Sequence, residues 1–161
     1  MKAFKKFMAL CLVMVMALTV SVPVFAATGS YSFKYGTYSR KPGQSIGTMK
    51  SKWKLKEISR KTSCAGGNGQ DVTYSRSGLK VYATSKRRGG TEYISKIVIT
   101  SSSYKTREGV KVGSTLAALK AKYSNARAKS YDSSTYTASK SGVKITFKIR
   151  SGKVRTITYT K

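Results

Sequence analysis

Few side chains in this sequence could act as a nucleophile, a proton carrier or a metal ligand. The 161 residues include no histidine, which excludes Cys–His and Ser–His–Asp nucleophilic schemes and metal sites built on histidine. Glycoside hydrolysis needs two carboxyl groups placed across one bond, and no close pair stands in the sequence. We therefore expect a protein that is not an enzyme and that has no cofactor or metal. The five carboxylates are Glu57, Asp71, Glu92, Glu108 and Asp132.

Three other patterns resemble chemical motifs. Ser51–Lys54 and Ser102–Lys105 match the Ser-x-x-Lys pattern of serine acylases, but the supporting motifs of those enzymes are absent and both residue types are abundant. Gly66–Gly69 could cradle an anion, but no helix opening with Lys-Ser or Lys-Thr follows, which favours a turn. Cys64 has three interpretations. It is a small buried residue beside that turn, or the partner in an intermolecular disulfide, or a functional thiol. Of these three interpretations we favour the buried residue.

The first 26 residues have the parts of a secretory signal peptide. A basic start, Met1–Lys6, precedes an apolar run from Phe7 to Val20, and small residues lead to a cleavage site before Ala27. The apolar run is short for a membrane span. We expect cleavage, which removes Cys11 and leaves no transmembrane span. The mature chain, residues 27–161, would be secreted as a single domain into the extracellular space, where association with the cell wall is a further expectation.

The mature chain is uniformly basic. The sequence has 32 basic and five acidic residues, and the signal peptide contains three of the lysines, which leaves a net charge of +24. Residues 31–100 carry 15 basic and three acidic groups, and residues 101–161 carry 14 and two, so each half has a charge of +12. A field of this size attracts polyanions. The charge is therefore spread over the domain and does not belong to a basic tail.

Basic side chains on predicted strands and in one predicted loop are the candidate ligand-binding residues. On the strands they alternate with apolar residues, which places them on the outer face of a sheet. Tyr82 and Tyr104, if exposed, would stack on sugars or bases. Partners with suitable chemistry are teichoic acid, glycosaminoglycan, extracellular DNA, an anionic lipid surface or an acidic extracellular protein. The candidate residues for an anionic polymer are Lys80, Lys86, Arg87, Arg88, Lys144, Lys148 and Arg150.

The hydrophobic pattern predicts an α+β fold of two tandem repeats, about 31–100 and 101–161. Each repeat would have a short helix followed by antiparallel β-hairpins, and the hairpins would form a mostly antiparallel sheet. The clearest strand is 143–150, which alternates strictly and is turned back by Ser151–Gly152. The spacing of Ile94-x-x-Ile97 recurs in Val154-x-x-Ile157, and a three-residue step in a period-2 strand predicts a bulge in both.

A glycine-centred turn and a helix are predicted to open each repeat. Glu108–Tyr123 opens the second repeat, with Thr115 or Ser114 as the helix cap and an apolar stripe facing the core. Pro42–Met49 is its counterpart, and we match Gly43 with Gly109 and Gly47 with Gly113. In the first repeat we expect a helix over 45–51 and then a strand over 53–59. The stripe consists of Leu116, Leu119 and Tyr123.

Four segments, residues 62–74, 78–82, 93–99 and 106–114, resemble uncharacterised secreted proteins and lipoproteins of clostridia-type Gram-positive bacteria. The resemblance depends on the Ser-Cys-Ala-Gly sequence from residue 63 and on the Thr-Arg-Glu-Gly-Val-Lys-Val-Gly-Ser sequence from residue 106. It implies a location outside the cytoplasm and an approximate fold, without an activity. At the level of architecture, tandem helix-plus-hairpin units are similar to the β-lactamase-inhibitor protein and to small outer-membrane lipoproteins of the SmpA/OmlA type.

Location, charge and the missing catalytic groups favour a secreted, cationic, non-enzymatic binding protein that is retained on anionic polymers of the cell envelope or extracellular matrix. A protein-interaction or inhibitor module like the β-lactamase-inhibitor protein is the first alternative. A cationic antimicrobial protein is the second, although no long amphipathic cationic helix is present.

Overall fold

The computed structural model describes residues 29–64 and 67–161, so the predicted signal peptide lies outside the described residues. In these ranges the chain forms two short helices and ten strands, and neither helix is long and apolar enough to cross a membrane. The helices are α1 (Met49–Lys52) and α2 (Leu116–Lys122). The strands are β1 (Phe33–Tyr35), β2 (Tyr38–Arg40), β3 (Lys56–Thr62), β4 (Gln70–Arg76), β5 (Leu79–Ser85), β6 (Tyr93–Ile99), β7 (Arg127–Lys129), β8 (Asp132–Lys140), β9 (Val143–Arg150) and β10 (Lys153–Thr160).

Eight of the strands form one antiparallel sheet in the order β3-β4-β5-β6-β10-β9-β8-β7, and β1 and β2 form a separate hairpin. Strands β3 to β6 are a first meander, and strands β7 to β10 are a second one. The two meanders join where β6 pairs with β10. The predicted α+β fold is confirmed in its coarse form, as an antiparallel sheet accompanied by two short helices.

The core lies on one face of this sheet. Alternate residues of the strands point inward and are buried, and the segments that contain β1, α1 and α2 cover them. Phe33 packs edge-on against Trp53, with ring centroids 5.1 Å apart, and Tyr123 packs against Phe147 at 4.9 Å. Burial of each such aromatic side chain stabilises the fold by about 2–3 kcal/mol. The other face of the sheet remains open to solvent.

The predicted strand over 53–59 is wrong at its start. Trp53 is the residue that follows α1, and its N–H donates to the carbonyl of Met49 at 2.8 Å. The two side chains, four residues apart on one helical face, are both buried. Lys54 then adopts a left-handed φ of 50°, and β3 begins at Lys56. The alternation of lysines at 50–56 suggested a strand, but the burial of Trp53 decides for a helical turn.

Equivalent backbone hydrogen bonds attach the segment before each helix to the last hairpin of the meander that follows that helix. The N–H of Gly43 donates to the carbonyl of Ile94 at 2.7 Å, and that of Gly113 donates to Val154 at 2.8 Å. The φ angles of these glycines are 91° and 93°. Gly113 is therefore the structural counterpart of Gly43, seventy residues later, and the match of Gly43 with Gly109 is wrong. Two further pairs of bonds agree with this match. The bond from Ile94 N–H to the Gln44 carbonyl corresponds to the bond from Val154 N–H to the Ser114 carbonyl. The bond from Ile46 N–H to the Glu92 carbonyl corresponds to the bond from Leu116 N–H to the Gly152 carbonyl.

Both predicted bulges are confirmed. In the β5–β6 pairing the register shifts so that Ser95 is the extra residue, and in the β9–β10 pairing the extra residue is Arg155. The predicted cap of α2 is also confirmed, since the Thr115 hydroxyl accepts from the N–H of Ala118 at 3.2 Å.

The two meanders differ in the lengths of their connections. The first has seven-residue connections at 63–69 and 86–92, with a two-residue turn between them at 77–78. The second has two-residue turns throughout, at 130–131, 141–142 and 151–152. In the turn 151–152 both residues have positive φ, 51° and 68°, as a tight type I′ hairpin requires. Only the first meander therefore carries long loops at its ends.

Candidate functional site

The outward side of the four central strands, β5, β6, β10 and β9, is a basic surface that we call the open face. These strands contain no aspartate or glutamate. The nearest acidic residues on the neighbouring strands β4 and β8 are Asp71 and Asp132. The basic residues of the central strands are Lys80, Lys96, Lys144, Lys148, Arg150, Lys153 and Arg155.

The four strand residues predicted for ligand binding have outward positions. Lys80 lies between the buried residues Leu79 and Val81 of β5, and Lys144, Lys148 and Arg150 alternate with the inward residues of β9. Two strands separate β5 from β9, which corresponds to a distance of about 14 Å across the sheet. The structure therefore places these residues on one flat surface without gathering them into a pocket.

The two tyrosines proposed for stacking have different surroundings. Tyr82 is half-buried on the open face, and the Lys96 ammonium lies 4.1 Å from its ring centroid. Tyr104 is only 5% exposed and packs against Phe33 and Tyr35, so its predicted exposure is wrong. The reason is that the segment between β6 and α2 covers the inner face of the sheet, which the local sequence does not reveal.

Of the predicted basic loop, Arg87 and Arg88 line a cleft on the first meander, whereas Lys86 lines a separate cavity beside Tyr93 and Lys161. Two adjoining cavities of about 650 and 710 Å³ share Arg60, Gln70 and Arg88 in their walls. The long connections 63–69 and 86–92 both contribute to these walls. We call this region the basic cleft, and it has five cationic side chains against one carboxylate. Its charged residues are Lys50, Arg60, Lys61, Arg87, Arg88 and Glu92.

Glu92 is the centre of the cleft's ionic network, and only 8% of it is exposed. Its carboxylate accepts hydrogen bonds from the Tyr74 hydroxyl at 2.6 Å, from Arg60 Nη2 at 3.0 Å and from Lys50 Nζ at 3.1 Å. A buried carboxylate would be costly without such partners, and these three compensate it. The network therefore holds Lys50 and Arg60 in fixed positions at the wall of the cleft.

Burial and pairing oppose each other in the titration of this network. Burial favours the neutral form of Glu92, but hydrogen bonds from Tyr74, Arg60 and Lys50 together outweigh it, so the pKa of Glu92 is lowered. Desolvation likewise disfavours charged Lys50, yet its hydrogen bonds to Glu92 and Tyr74 leave the pKa of Lys50 raised. Burial, followed by the hydrogen bond to Glu92, raises the pKa of Tyr74. All three groups thus stay in their usual protonation states at neutral pH.

The donors of the cleft divide into engaged and available groups. Arg60 uses four of its five N–H donors, because its guanidinium also donates twice to Glu57, at 2.8 and 2.7 Å, and once to Gln70, at 2.9 Å. The side chains of Lys61, Arg87 and Arg88 form no hydrogen bond or ion pair with any residue in 29–64 or 67–161, and all three are exposed. Their whole charged groups are available to an anion, and Lys50 keeps one further N–H donor beside them.

The second meander has a reduced version of this site. Lys50 lies 5.3 Å from the Tyr74 ring centroid, and Lys120, in the equivalent position, lies 5.6 Å from that of Tyr136. The cavity beside Lys120 has about 370 Å³. Gly152 occupies the position of Glu92, as the matching backbone hydrogen bonds show. The second meander thus lacks the carboxylate that orders the cations of the first.

Four residues of the cleft were not predicted from the sequence: Lys50, Arg60, Lys61 and Glu92. One signal was present: Glu92 is an acidic residue directly before a strongly apolar strand in a chain with only five carboxylates. An isolated carboxylate of this kind is found buried only where basic residues pair with it. The partners come from 42 and 32 residues earlier in the chain, and no local pattern connects them.

Cys64 is exposed, so the favoured interpretation of a buried residue is wrong. It lies in the connection 63–69, outside the covered face of the sheet, so packing does not bury it.

In the described ranges no three His, Cys, Asp or Glu side chains come close enough to hold a metal ion together. No protein-family model, no curated protein and no solved structure matches the chain.

Proposed function

We propose that the protein is a secreted, non-enzymatic binding protein that is retained on anionic polymers of the cell envelope or extracellular matrix. One observation carries this proposal: four adjacent strands present seven basic residues and no acidic residue beside an open sheet face. Lysine and arginine side chains in this arrangement attract a polymer with repeated negative charges, whatever the orientation of the polymer on the sheet.

A flat surface of this kind suits an extended polymer. Strands β5 and β9, which contain Lys80 and Lys144, are about 14 Å apart, a span over which several charges of a polyanion can be neutralised at once. On the same face, Thr158 and Thr160 of β10 and Thr146 of β9 supply hydroxyl groups, which donate to or accept from a sugar or polyol. Each neutralised charge releases a counterion, so binding weakens as the salt concentration rises.

The proposed domain consists of two tandem repeats, about 31–100 and 101–161. Three shared pairs of backbone hydrogen bonds and two bulges in equivalent hairpins support a duplication. The pairing of β6 with β10 supports it too, because Ile97 faces Tyr159 and Ile99 faces Ile157, as expected when two copies meet about a local two-fold axis. In this proposal each copy contributes two strands to the open face.

The test is retention on immobilised teichoic acid, heparin and DNA at increasing salt. The variant K80A/K144A/K148A/R150A removes four charges from the open face. The control variant K105A/R107A/K111A/K122A removes four exposed charges from segments outside the sheet. We expect the first variant to reduce the slope of log affinity against log salt by about three to four, and the control by less than about one.

Equal effects of the two variants, or no retention on any of the three polymers at low salt, would refute the proposal. Salt-tolerant capture of one acidic protein would instead favour the protein-interaction module. Leakage of anionic vesicles would favour the antimicrobial alternative, against which the four- and seven-residue lengths of α1 and α2 argue.

A further inference from the structure

We propose that the basic cleft is a distinct site for one ester-linked tetrahedral oxyanion, a phosphate or sulfate group of the polymer, with Arg87 and Arg88 closing over it. This inference rests on the proposed function and identifies the chemical group that the cleft recognises. The open face would hold the polymer through its charge, and the cleft would select the type of anion.

The wall of the cleft is ordered before any ligand arrives. Glu92 holds Lys50 and Arg60 through hydrogen bonds of 3.1 and 3.0 Å, and Arg60 also holds Gln70 at 2.9 Å. Because these contacts and those to Glu57 use four of the five N–H donors of Arg60, it acts mainly as a positioning residue. Lys50 uses two of its three N–H donors on Glu92 and Tyr74, which leaves one for a ligand. Binding therefore requires little reorganisation of this wall.

The available cations belong to three separate segments. Lys50 is on α1, Lys61 is near the end of β3, and Arg87 and Arg88 are in the connection 86–92. Donors that approach from several directions suit the oxygens of a tetrahedral anion, whereas a planar carboxylate is matched by one guanidinium fork. Two cavities that share Arg88 also leave room for a second anionic group beside the first.

The loop that carries the arginines has a fixed base and a free end. The Ser85 hydroxyl and the Gly90 N–H both donate to the carbonyl of Arg87, at 2.9 and 3.0 Å. Gly89 has a positive φ of 69° and open space around it. The backbone is thus anchored while both guanidinium groups stay in solvent, the arrangement expected of a clamp that orders on binding.

Neutral groups lie next to the proposed anion site. Ser45, Gln70 and Thr91 line the first cavity with hydroxyl and amide groups. Such groups bind the hydroxyls of a glycerol, ribitol or sugar unit to which the phosphate or sulfate is esterified. A polyol or sugar ester therefore fits better than an isolated anion.

The test uses short ligands that are too small to span the open face. The probes are a glycerol phosphate trimer, a trisulfated disaccharide, a hyaluronan hexasaccharide with three carboxylates, and inorganic phosphate. Affinity is measured by calorimetry on the mature protein, and amide chemical shifts locate the site. The cleft variant is R87A/R88A, and the control with matched charge is K80A/K144A on the open face; all four side chains are exposed.

We expect the trimer or the disaccharide to shift the amides of Gly89, Gly90 and Gln70. We expect both to bind at least about tenfold more tightly than the hyaluronan fragment, which carries three carboxylates in place of three phosphates or sulfates. R87A/R88A should weaken this binding by at least about tenfold, and K80A/K144A by less than about twofold. The tighter of the two ligands identifies phosphate or sulfate as the natural group, and inorganic phosphate should compete for the same amides.

Equal losses in the two variants, shifts spread over the open face, or equal affinity for hyaluronan would overturn the inference. The two proposals fail separately. If long polymers bind through the open face while short ligands leave the cleft amides unchanged, the cleft inference fails and the retention function stands. If short ligands occupy the cleft but the open-face variant retains polymers as the wild type does, the retention function fails.

Discussion

The two meanders share a framework and differ in their loops. Each is attached to its preceding helix entry by the same backbone hydrogen bonds, through Gly43 in the first and Gly113 in the second. Yet the connections 63–69 and 86–92 have seven residues where the second meander has two-residue turns. The framework is therefore set by the strands and the core, while the cleft depends on residues added at one end of one half, as is usual for binding sites built on loops.

The difference also changes the role of a shared contact. Lys50 and Lys120 lie over equivalent tyrosine rings, at 5.3 and 5.6 Å. Only Lys50 has a carboxylate beside it, because Glu92 occupies the position that Gly152 has in the second meander. A cation over a ring is a weak surface contact, whereas a cation held by a buried carboxylate is a fixed part of a site. One residue thus separates an ordered cleft from an ordinary surface.

The largest expected effect tests what the halves share. Trp53 and Tyr123 each follow a helix and are buried in equivalent places, so Trp53→Ala and Tyr123→Ala should each lower the free energy of unfolding by about 4 kcal/mol. Both variants should unfold in a single transition in urea, since one core serves both halves. Two separate transitions, or a loss below about 1 kcal/mol in either variant, would break the equivalence.

The next effect tests what distinguishes the halves. Glu92→Gln leaves Lys50 and Arg60 without their shared carboxylate and should lower the free energy of unfolding by about 2 kcal/mol. This figure is less than that for a fully buried pair, because the side chains of Lys50 and Arg60 are 41% and 33% exposed. Asp71→Asn, at an exposed carboxylate, is the control and should change stability by less than about 0.5 kcal/mol. Equal effects in the two variants would show that the network contributes nothing.

Acid should remove the same contribution. The pKa of Glu92 is lowered in the folded protein, so its stabilisation is present above the unfolded-state value of about 4.3 and is lost as pH falls through the folded-state pKa. The stability difference between wild type and Glu92→Gln should therefore be constant from pH 7 to about 5 and shrink below about pH 4. Urea melts at each pH measure it, and a difference that persists at pH 2.5 would contradict the assignment.

The smallest effect compares the two lysines directly. Lys50→Met should cost about 1 kcal/mol, because Glu92 loses one of its three donors. Lys120→Met should cost less than about 0.5 kcal/mol, because only the contact with the Tyr136 ring is lost. Thermal melts of the two variants, compared with that of the wild type, measure the difference between the two losses of stability. Equal costs would mean that the carboxylate does not distinguish the two meanders.

Local patterns predict much of the framework. Alternation identified β9, β5 and the outward positions of Lys80 and Lys144, because a strand with one buried face repeats every two residues. The three-residue steps near Ile94 and Val154 predicted both bulges, since an extra residue must appear in the sequence spacing. Ordinary connectivity rules, with neighbouring strands joined by short turns, then lead to the meanders.

Other features could not be predicted from local patterns. Both Trp53 and Tyr104 were misplaced, because their burial depends on segments that cover the sheet from elsewhere in the chain. The glycine match failed because spacing alone could not tell Gly109 from Gly113, and only the hydrogen bonds to β10 decide between them.

The sequence by itself determined the charge, the absence of histidine chemistry, and the alternation that turns one face of the sheet toward solvent. These are properties of composition and period, and they survive any arrangement of the strands. The tertiary structure alone decided that Lys50, Arg60 and Glu92 meet the loop of Arg87 and Arg88. Their meeting depends on the order of strands in the sheet and on two long connections that lie at the same end of the strands. These two features bring together residues that no periodic pattern in the sequence relates.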